Sequence, residues 1–279
     1  MWNAVKRKKD AKRKRKECNA DEHQRRKNKE AKKPKEPKET KTSSNVVLET
    51  WTRVDLSHRN CWLLVSKCLP PEICMSNAIF KEIWNLRPSD PGKVKIFGKV
   101  VDVPRHQASF GQSYFFSGIH HQALPLTHPF LKAVLNYCRQ HSGLPYEQIL
   151  VNWYENGTKY IGWHSDDESE LVTWPFLGAG IYSFSYGADR FFQLRTRENN
   201  ASKTTVRLTV TNNSGVIMCG NTQKQFKHRI PKQLRVLAPR LNITVRLFKV
   251  SYIGWELQKV GFPKELAQIV VQFVHTKRF

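Results

Sequence analysis

The amino-acid sequence predicts a mainly β fold with flanking helices, built as a double-stranded β-helix, that is, a jelly-roll of two sheets. Two observations favour it. Many short segments with strand-type patterning follow residue 149, and few stretches have a helical period. A chain of 279 residues, 39% hydrophobic and 11% aromatic, can also bury a sizeable core. We find no internal repeat.

The first 45 residues are dense in Lys, Arg, Glu and Pro and predict a disordered basic tail. Lys6–Lys9 and Lys12–Lys16 are clusters typical of nuclear localisation, although a tail that binds any polyanion weakly would look the same. We expect a nuclear protein, intracellular in any case. Lys33-Pro34-Lys35-Glu36-Pro37 indicates a linker before the folded part.

The whole chain carries a formal charge of +24, and both the tail and the remainder are basic. Such an excess predicts a polyanionic partner, most simply nucleic acid, with an acidic membrane surface as the competing interpretation. No apolar run of 18 residues occurs, so we expect no membrane span. The six cysteines lack a C-x-x-C pair and indicate reduced intracellular thiols.

Three features precede the strand-rich part. Pro70-Pro71-Glu72 opens a predicted helix that runs to about Leu86 and packs outside the sheet. Val94–Val103 predicts a hairpin whose turn holds Phe97 and Gly98. A second predicted helix covers Pro129–His141 and stops at Gly143.

The strands come next, and a short C-terminal extension follows them. The predicted strands are Ile149–Tyr154, Gly180–Ser185, Arg190–Arg195, Thr204–Thr211, Gly215–Cys219, Gln233–Ala238 and Asn242–Lys249. Phe262-Pro263-Lys264 begins a predicted amphipathic helix, which could pack on its own domain or bind a partner; we favour packing. We therefore expect a folded domain over residues 46–249 and an extension over residues 250–279.

A possible metal site begins with His164-Ser165-Asp166. With a distant histidine, such as His228, an imidazole and a carboxylate could form the 2-His-1-carboxylate face of non-haem Fe(II) oxygenases. His-x-Asp alone is a weak signal, because such pairs recur on protein surfaces. The pair His120-His121 is discounted, since adjacent strand residues point to opposite faces.

Residues 239–247 alternate strictly between polar and apolar side chains, which indicates a strand. Arg240, Asn242, Thr244 and Arg246 share one face, whereas Leu241, Ile243, Val245 and Leu247 share the other. A half-exposed strand would show the same alternation. Two arginines on one face, however, could hold a small dicarboxylate through forked hydrogen bonds, which suggests 2-oxoglutarate as the cosubstrate.

Six blocks now occur in a characteristic order: Pro104–Gly111, Tyr114–Gly118, Val151–Gly157, His164–Glu168, His228–Pro231 and Pro239–Arg246. In these blocks the sequence resembles the AlkB family of Fe(II)/2-oxoglutarate-dependent dioxygenases, most closely its duplex-DNA repair branch. The resemblance runs from about residue 60 to residue 249. One departure is Phe110, which stands where the family motif usually has Tyr.

The resemblance implies an activity and a cofactor set. His164, Asp166 and His228 would bind Fe(II), and Arg240 and Arg246 would bind the carboxylates of 2-oxoglutarate. Neutral hydrogen bonds to the cosubstrate would come from Asn152, Tyr154 and Asn242. With O2, such an enzyme would remove N-alkyl groups from bases such as 1-methyladenine and 3-methylcytosine in DNA, including duplex DNA.

The resemblance also implies how a base is held. Phe97 would enter the base stack where a damaged base is flipped out, unless it folds back into the core. Tyr114 would stack on that base opposite the His164 ring. Arg105 and Gln107 would structure the loop near the base. Asp167 or Glu168 would favour a cationic methylated base, or serve only as supporting or solvated acids.

Alternative functions remain at this point. The same chemistry could act on RNA, although a stack-inserting Phe97 favours duplex DNA. A non-catalytic nucleic-acid-binding protein is a second alternative, and the intact ligand and arginine set argues against it. Protein hydroxylation would leave the basic charge unexplained. The exposed loop Arg197–Lys203 could contact the opposite strand or nothing at all, and we expect a monomer that binds double- and single-stranded DNA.

Overall fold

Strands dominate the computed structural model, as the sequence predicts. It describes residues 51–116, 119–166, 168, 171–172, 180–198, 206–267 and 270. The predicted basic tail, Asp167 and most of the predicted C-terminal helix lie outside these residues. Residues 264–267 have helical backbone, which agrees with the predicted start of that helix.

The larger sheet has eight strands in the order β1-β2-β14-β11-β16-β9-β5-β8. Its strands are β1 (Thr52–Asp55), β2 (Cys61–Ser66), β5 (His106–Phe110), β8 (Ala123–Leu124), β9 (Gln148–Tyr154), β11 (Ile181–Gly187), β14 (Ser214–Gly220) and β16 (Arg240–Arg246). All neighbours pair antiparallel except β5 and β8. Most neighbouring strands are therefore distant in sequence, as expected for one sheet of the predicted jelly-roll.

The smaller sheet has four strands in the order β10-β15-β12-β13. Its strands are β10 (Ile161–His164), β12 (Arg190–Thr196), β13 (Val206–Val210) and β15 (Phe226–Ile230). The described residues also form two separate hairpins: β3 (Lys93–Ile96) with β4 (Lys99–Asp102), and β6 (Tyr114–Phe116) with β7 (Ile119–His121).

Two apolar clusters show how these sheets are arranged. One joins inward residues of the larger sheet, such as Tyr154 and Met218, to Phe192 and Leu194 of the smaller sheet. The other joins the opposite face of the larger sheet to the helices. The two sheets therefore pack face to face, and the longer helices among the described residues pack on the outer face of the larger sheet, which confirms the predicted jelly-roll class.

The helix predicted from Pro70 to Leu86 is wrong as a single element. Pro71–Ile73 forms one 3₁₀ turn, the chain is extended at Cys74, and a separate α-helix spans Asn77–Asn85. Ser76 starts this second helix because its side chain accepts a hydrogen bond from the Ile79 amide. The proline pair thus begins a turn, and the serine N-cap sets the true helix start.

The second predicted helix is confirmed at Pro129–Ser142. Pro129 occupies its first turn, where a missing amide costs nothing. Gly143 ends it in the left-handed conformation, with φ 68°, and donates its amide to Arg139 O. A short helix, Thr222–Gln225, leads into β15. None of the helices in the described part has the length and apolar run that crossing a membrane requires.

The predicted hairpin is confirmed, and its tip is well defined. Phe97 and Gly98 are the two loop residues between β3 and β4, with φ 48° and 80°. Positive φ at both positions is the type I′ turn that matches the twist of a two-residue hairpin. The Phe97 side chain is fully exposed, at 101% of its reference area, so it does not fold back into the core.

Two strand predictions, one just before β16 and one for β16 itself, need correction. No strand forms over Gln233–Ala238, because this segment pairs with a loop instead: Gly157 donates to Val236 O, and Gln233 donates to Gly157 O. The strand predicted over Asn242–Lys249 begins earlier, at Arg240, and ends at Arg246. An unpredicted helix, Lys249–Lys259, follows.

That helix packs through Tyr252 and Trp255 against the core outside the larger sheet. Its Ser251 hydroxyl donates to a carboxylate oxygen of Glu147. Burial raises the pKa of Glu147 to about 7, although Arg139 partly opposes this. The helix is therefore anchored by an acid that the folded protein prefers to keep protonated.

Glu147 should make stability depend on pH. Its pKa rises on folding, so its favourable contribution is present at low pH and is lost as the pH rises through about 7. Glu147→Gln keeps an acceptor for Ser251 without the charge. We expect the variant to gain up to about 3 kcal/mol over wild type at pH 8 and little at pH 5, measured by urea unfolding.

Glu72→Gln, at an exposed position, is the matched control and should follow the wild-type profile. Parallel pH profiles for wild type and Glu147→Gln would contradict the expected effect.

Candidate active site

His164, Asp166 and His228 come together at the inner face of the smaller sheet. His164 and His228 pair directly across β10 and β15, with ring centroids 4.1 Å apart. His164 Nε2 lies 3.6 Å from Asp166 Oδ1. One nitrogen or oxygen from each residue falls within 4.8 Å of the others, so the three side chains can hold one metal ion.

Neighbouring hydrogen bonds fix the direction of these groups. His164 Nδ1 lies 2.9 Å from Gly162 O, and a carbonyl only accepts, so Nδ1 carries the proton. The lone pair of Nε2 is then available to a metal. Ser165 donates to Phe226 O, and the Asp166 amide donates to Gln223 Oε1.

The electrostatics favour a cation at this point. Burial lowers the pKa of both histidines, and that of His228 falls to about 3. Burial by itself raises the pKa of Asp166, but His228, His164 and the guanidiniums of Arg246 and Arg105 outweigh it and hold that pKa below its ordinary value. At pH 7 the cluster therefore offers two neutral imidazoles and one carboxylate, the protonation states that bind metal.

The facing sheet supplies a row of polar side chains. Asn242 on β16 lies opposite Asn152 on β9, which in turn lies opposite Gln107 on β5. Two residues before Asn242, Arg240 lies opposite Tyr154 of β9. Between the two sheets lies a pocket that is partly open to solvent. It is lined by Arg105, Gln107, Tyr114, Leu150, Asn152, Tyr154, Ile161, His164, Asp166, Glu168, Ser183, Phe192, Met218, His228, Ile230, Arg240, Asn242, Thr244 and Arg246.

Arg240 is a buried cation with open donors. Only 1% of the residue is exposed, and its Nη2 donates to Ser185 Oγ at 2.8 Å. Its Nε and Nη1 find no hydrogen-bond partner among the described residues. Burial lowers its pKa to about 10, which still leaves it charged at pH 7. A buried guanidinium with two open donors calls for an anion.

Arg246 lies at the other end of β16 and is better satisfied. Its Nε donates to Gln148 Oε1 at 2.6 Å, and its Nη1 donates to Glu168 Oε1 at 2.7 Å. Its guanidinium carbon lies 4.4 Å from the centroid of the Tyr114 ring. Within the described chain, Nη2 of Arg246 and Oε2 of Glu168 have no partner. Burial raises the pKa of Glu168 to about 7 against the opposing charge of Arg246.

The neutral groups beside the arginines are held by side-chain hydrogen bonds. Arg105 donates through Nε to Asn152 Oδ1 and through Nη2 to Gln107 Oε1. Asn242 donates to Ser183 Oγ and to Phe184 O. Arg105 and Gln107 therefore belong to the same wall as Asn152, and the buried Gln107 Nε2 has no partner among the described residues.

The structure thus brings most of the sequence-predicted site residues into one pocket, but not all of them. Asn152, Tyr154, Arg240, Asn242, Arg246, Arg105, Gln107, Tyr114 and Glu168 line one pocket with the three metal-type ligands. Phe97 stands apart at the hairpin tip, and Asp167 lies outside the described residues. Tyr114 lines the pocket, but its ring also stacks on His121, with centroids 4.8 Å apart. Phe110, without a hydroxyl, is simply core.

Sequence reasoning missed several supporting residues. Gln148 and Gln223 are buried polar side chains that hold Arg246 and the Asp166 amide. Ser183 and Ser185, on β11, hold Asn242 and Arg240. For Gln148, Ser183 and Ser185 the signal is a polar side chain inside an apolar strand, which does not reveal its partner, and Gln223 lies in the short helix Thr222–Gln225, which has no such pattern.

The residues present fit a metal ion with a small dicarboxylate beside it. The metal-type ligands occupy one sheet, and the open donors of Arg240 and Arg246 project from the other. A dicarboxylate would give these donors partners, and its charge would offset the buried guanidiniums.

Comparison with known proteins agrees with this geometry. Residues 91–246 match the family described as the 2OG-Fe(II) oxygenase superfamily. The chain is similar to the DNA oxidative demethylase ALKBH2 of Bos taurus, with 33% identity over 71% of this chain and 72% of that protein. The Mus musculus ALKBH2 is 36% identical over 55% of this chain and 66% of its own length.

A second kind of relative is also similar. The alpha-ketoglutarate-dependent dioxygenase alkB homolog 3 of Homo sapiens is 33% identical, over 51% of this chain and 51% of that protein.

Arg240 should control the affinity for 2-oxoglutarate. Arg240→Met keeps the stem but removes the donors that have no internal partner. Because the loss leaves a carboxylate without its cation, we expect a 30-fold or greater loss of affinity, roughly 2 kcal/mol or more. Calorimetric titration of the Mn(II)-loaded protein with 2-oxoglutarate measures it. Mn(II) affinity should not change.

Arg53→Met, on the exposed edge strand β1, is the control and should bind 2-oxoglutarate like wild type. Equal affinities for wild type and Arg240→Met would rule out Arg240 as a carboxylate ligand.

Proposed function

Because the chain belongs to the 2OG-Fe(II) oxygenase superfamily, we propose that it is an oxidative demethylase that removes N-alkyl groups from bases in DNA, including duplex DNA. One observation carries the cofactor half of this proposal: buried arginine donors without partners face a His-Asp-His cluster across a single pocket. The superfamily uses Fe(II), 2-oxoglutarate and O2.

We assign roles to the pocket residues as follows. Nε2 of His164, one nitrogen of His228 and a carboxylate oxygen of Asp166 bind Fe(II). Arg240 binds one carboxylate of 2-oxoglutarate, and Arg246, oriented by Gln148 and Glu168, binds the other. Asn152, Tyr154 and Asn242 provide neutral contacts.

When bound, Fe(II) and 2-oxoglutarate supply an oxidant from O2 that hydroxylates the N-alkyl carbon, and the product then releases an aldehyde and the restored base. The chain's own part is to hold these groups between the two sheets. Tyr114 and Gln107 line the space next to them, where a flipped base would enter. Gln107 Nε2 is an open donor suited to a base acceptor.

The hairpin supports a duplex substrate. Phe97 is fully exposed at a two-residue turn, an arrangement that costs solubility unless the ring has a partner. Lys93, Lys95 and Lys99 lie on the same two strands and can contact phosphates. The hairpin base is also tied to the pocket wall, since the Gly92 amide donates to Arg105 O. We infer that Phe97 fills the gap left by the flipped base.

What the relatives indicate about the substrate comes from their names. ALKBH2 of Bos taurus and Mus musculus are DNA oxidative demethylases, and this similarity supports DNA for the present chain. Action on RNA, a monomeric state and nuclear localisation remain proposals that rest on the sequence.

The activity itself is the first test. Purified protein with Fe(II), 2-oxoglutarate and a duplex that carries one N1-methyladenine should release formaldehyde and succinate in equal amounts. Asp166→Ala should lose both products, because one metal ligand is gone. Succinate without base repair would move the substrate to RNA or protein. Absence of both products from wild type with iron bound would favour a non-catalytic nucleic-acid-binding protein.

Phe97 gives a second test. Phe97→Ala should lower the repair rate on duplex at least tenfold, because stabilisation of the unstacked site is lost, and it should leave the rate on single-stranded DNA unchanged. Single-turnover repair assays on both substrates measure this difference. Val100→Ala, an exposed change on the same hairpin, is the control. A Phe97→Ala enzyme as fast as Val100→Ala on duplex would refute the wedge.

A further inference from the structure

The outer face of the smaller sheet, which the pocket does not use, is strongly basic. Consecutive strand residues point to opposite faces, so residues next to the inward His164, His228, Leu194 and Phe192 point outward. The outward residues include Trp163, Phe191, Arg195, Arg207, Lys227 and Arg229, and we call them the basic face. No Asp or Glu occurs in any of the four strands.

Aromatic rings hold the cations of the basic face in place. The guanidinium carbons of Arg229 and Arg195 lie 4.3 and 4.7 Å from the centroid of the Trp163 ring, and that of Arg207 lies 5.2 Å from Phe191. Arg229 also donates to Gln193 Oε1 at 2.8 Å. Guanidiniums ordered in this way lose less freedom when they bind a ligand.

These cations also repel one another. The pKa of Arg229 is lowered by burial and then by the charges of Arg195 and Arg207. Lys227 and Arg195 occupy opposite positions on neighbouring strands, so two like charges face each other. Gln193 lies opposite Arg229 on one side and Arg207 on the other. A polyanion would relieve this repulsion. The rings are already covered by guanidiniums, so the surface suits phosphates better than stacked bases.

The dimensions agree with a nucleic-acid backbone. Neighbouring strands are about 4.8 Å apart, so the face extends about 15 Å across its four strands. Duplex DNA carries a phosphate about every 3.4 Å of axis on each strand, so several phosphates can lie along it. The cations come from three adjacent strands and therefore form an area, not a line.

We propose that the basic face binds the phosphodiester backbone of DNA away from the flipped base, as a second contact surface separate from the pocket and the hairpin. This proposal rests on the proposed function for the identity of the ligand. His164 and Trp163 are consecutive on β10, so the metal-facing and phosphate-facing sides belong to one rigid sheet.

The test is the salt dependence of binding to an unmodified duplex, measured on the full chain by fluorescence anisotropy between 50 and 300 mM KCl. The variant Arg207→Gln/Lys227→Gln/Arg229→Gln should reduce the slope of log K against log[KCl] by about 2 to 3 and weaken binding at least tenfold at 100 mM. The control Lys67→Gln/Lys81→Gln/Lys132→Gln removes three exposed charges elsewhere and should stay within twofold of wild type.

A face variant that behaves like the control overturns the proposal. If the triple variant unfolds, the exposed single change Arg207→Gln should lower the slope by about 1, and an unchanged slope overturns the proposal equally. Trp163→Leu keeps every charge and should weaken binding without changing the slope. If the triple variant has the lower salt slope but the wild-type protein repairs no methylated base, the basic face is still supported. That result would count only against the proposed function.

Discussion

The structure depends on burying two guanidiniums in one face of a single strand. Arg240 and Arg246 on β16 are each 1% exposed, and an unpaired buried charge is costly. The chain meets this cost partly from within, through Ser185, Gln148 and Glu168. The guanidinium N–H groups that have no partner among the described residues call for an anionic ligand. In the proposed function, the cosubstrate gives these open donors their partners.

Because the two arginines are buried on one face of β16, the two sheets contribute different groups to the pocket. The larger sheet turns Leu241, Ile243 and Val245 towards the helices and its polar row towards the pocket. The smaller sheet contributes the metal-type ligands through the His164–His228 pair. Since side chains alternate along a strand, a slip of one residue would send these ligands outward. Strand register therefore sets the chemistry, and the apolar core between the sheets enforces that register.

The same alternation gives the smaller sheet two chemically different sides. Its inner side carries His164 and His228, and its outer side carries Trp163 and Arg229 on the neighbouring positions. The hairpin with Phe97 adds a third element, tied to the pocket wall near Arg105. In the proposed function, a nucleic acid is read at the hairpin, held along the basic face and modified in the pocket.

Features that depend on local side-chain pattern can be predicted from the amino-acid sequence alone. The alternation at residues 240–246, the helix stop at Gly143 and the Phe97-Gly98 turn follow from side-chain period and backbone freedom, and the structure has them. Other features depend on contacts between segments that are distant in sequence. Gln233–Ala238 looked like a strand but pairs with the loop at Gly157, and Glu168 lies against Arg246, 78 residues away in sequence. Contacts between distant segments leave no local pattern, because their energy comes from burial and from partners that only packing of the two sheets brings together.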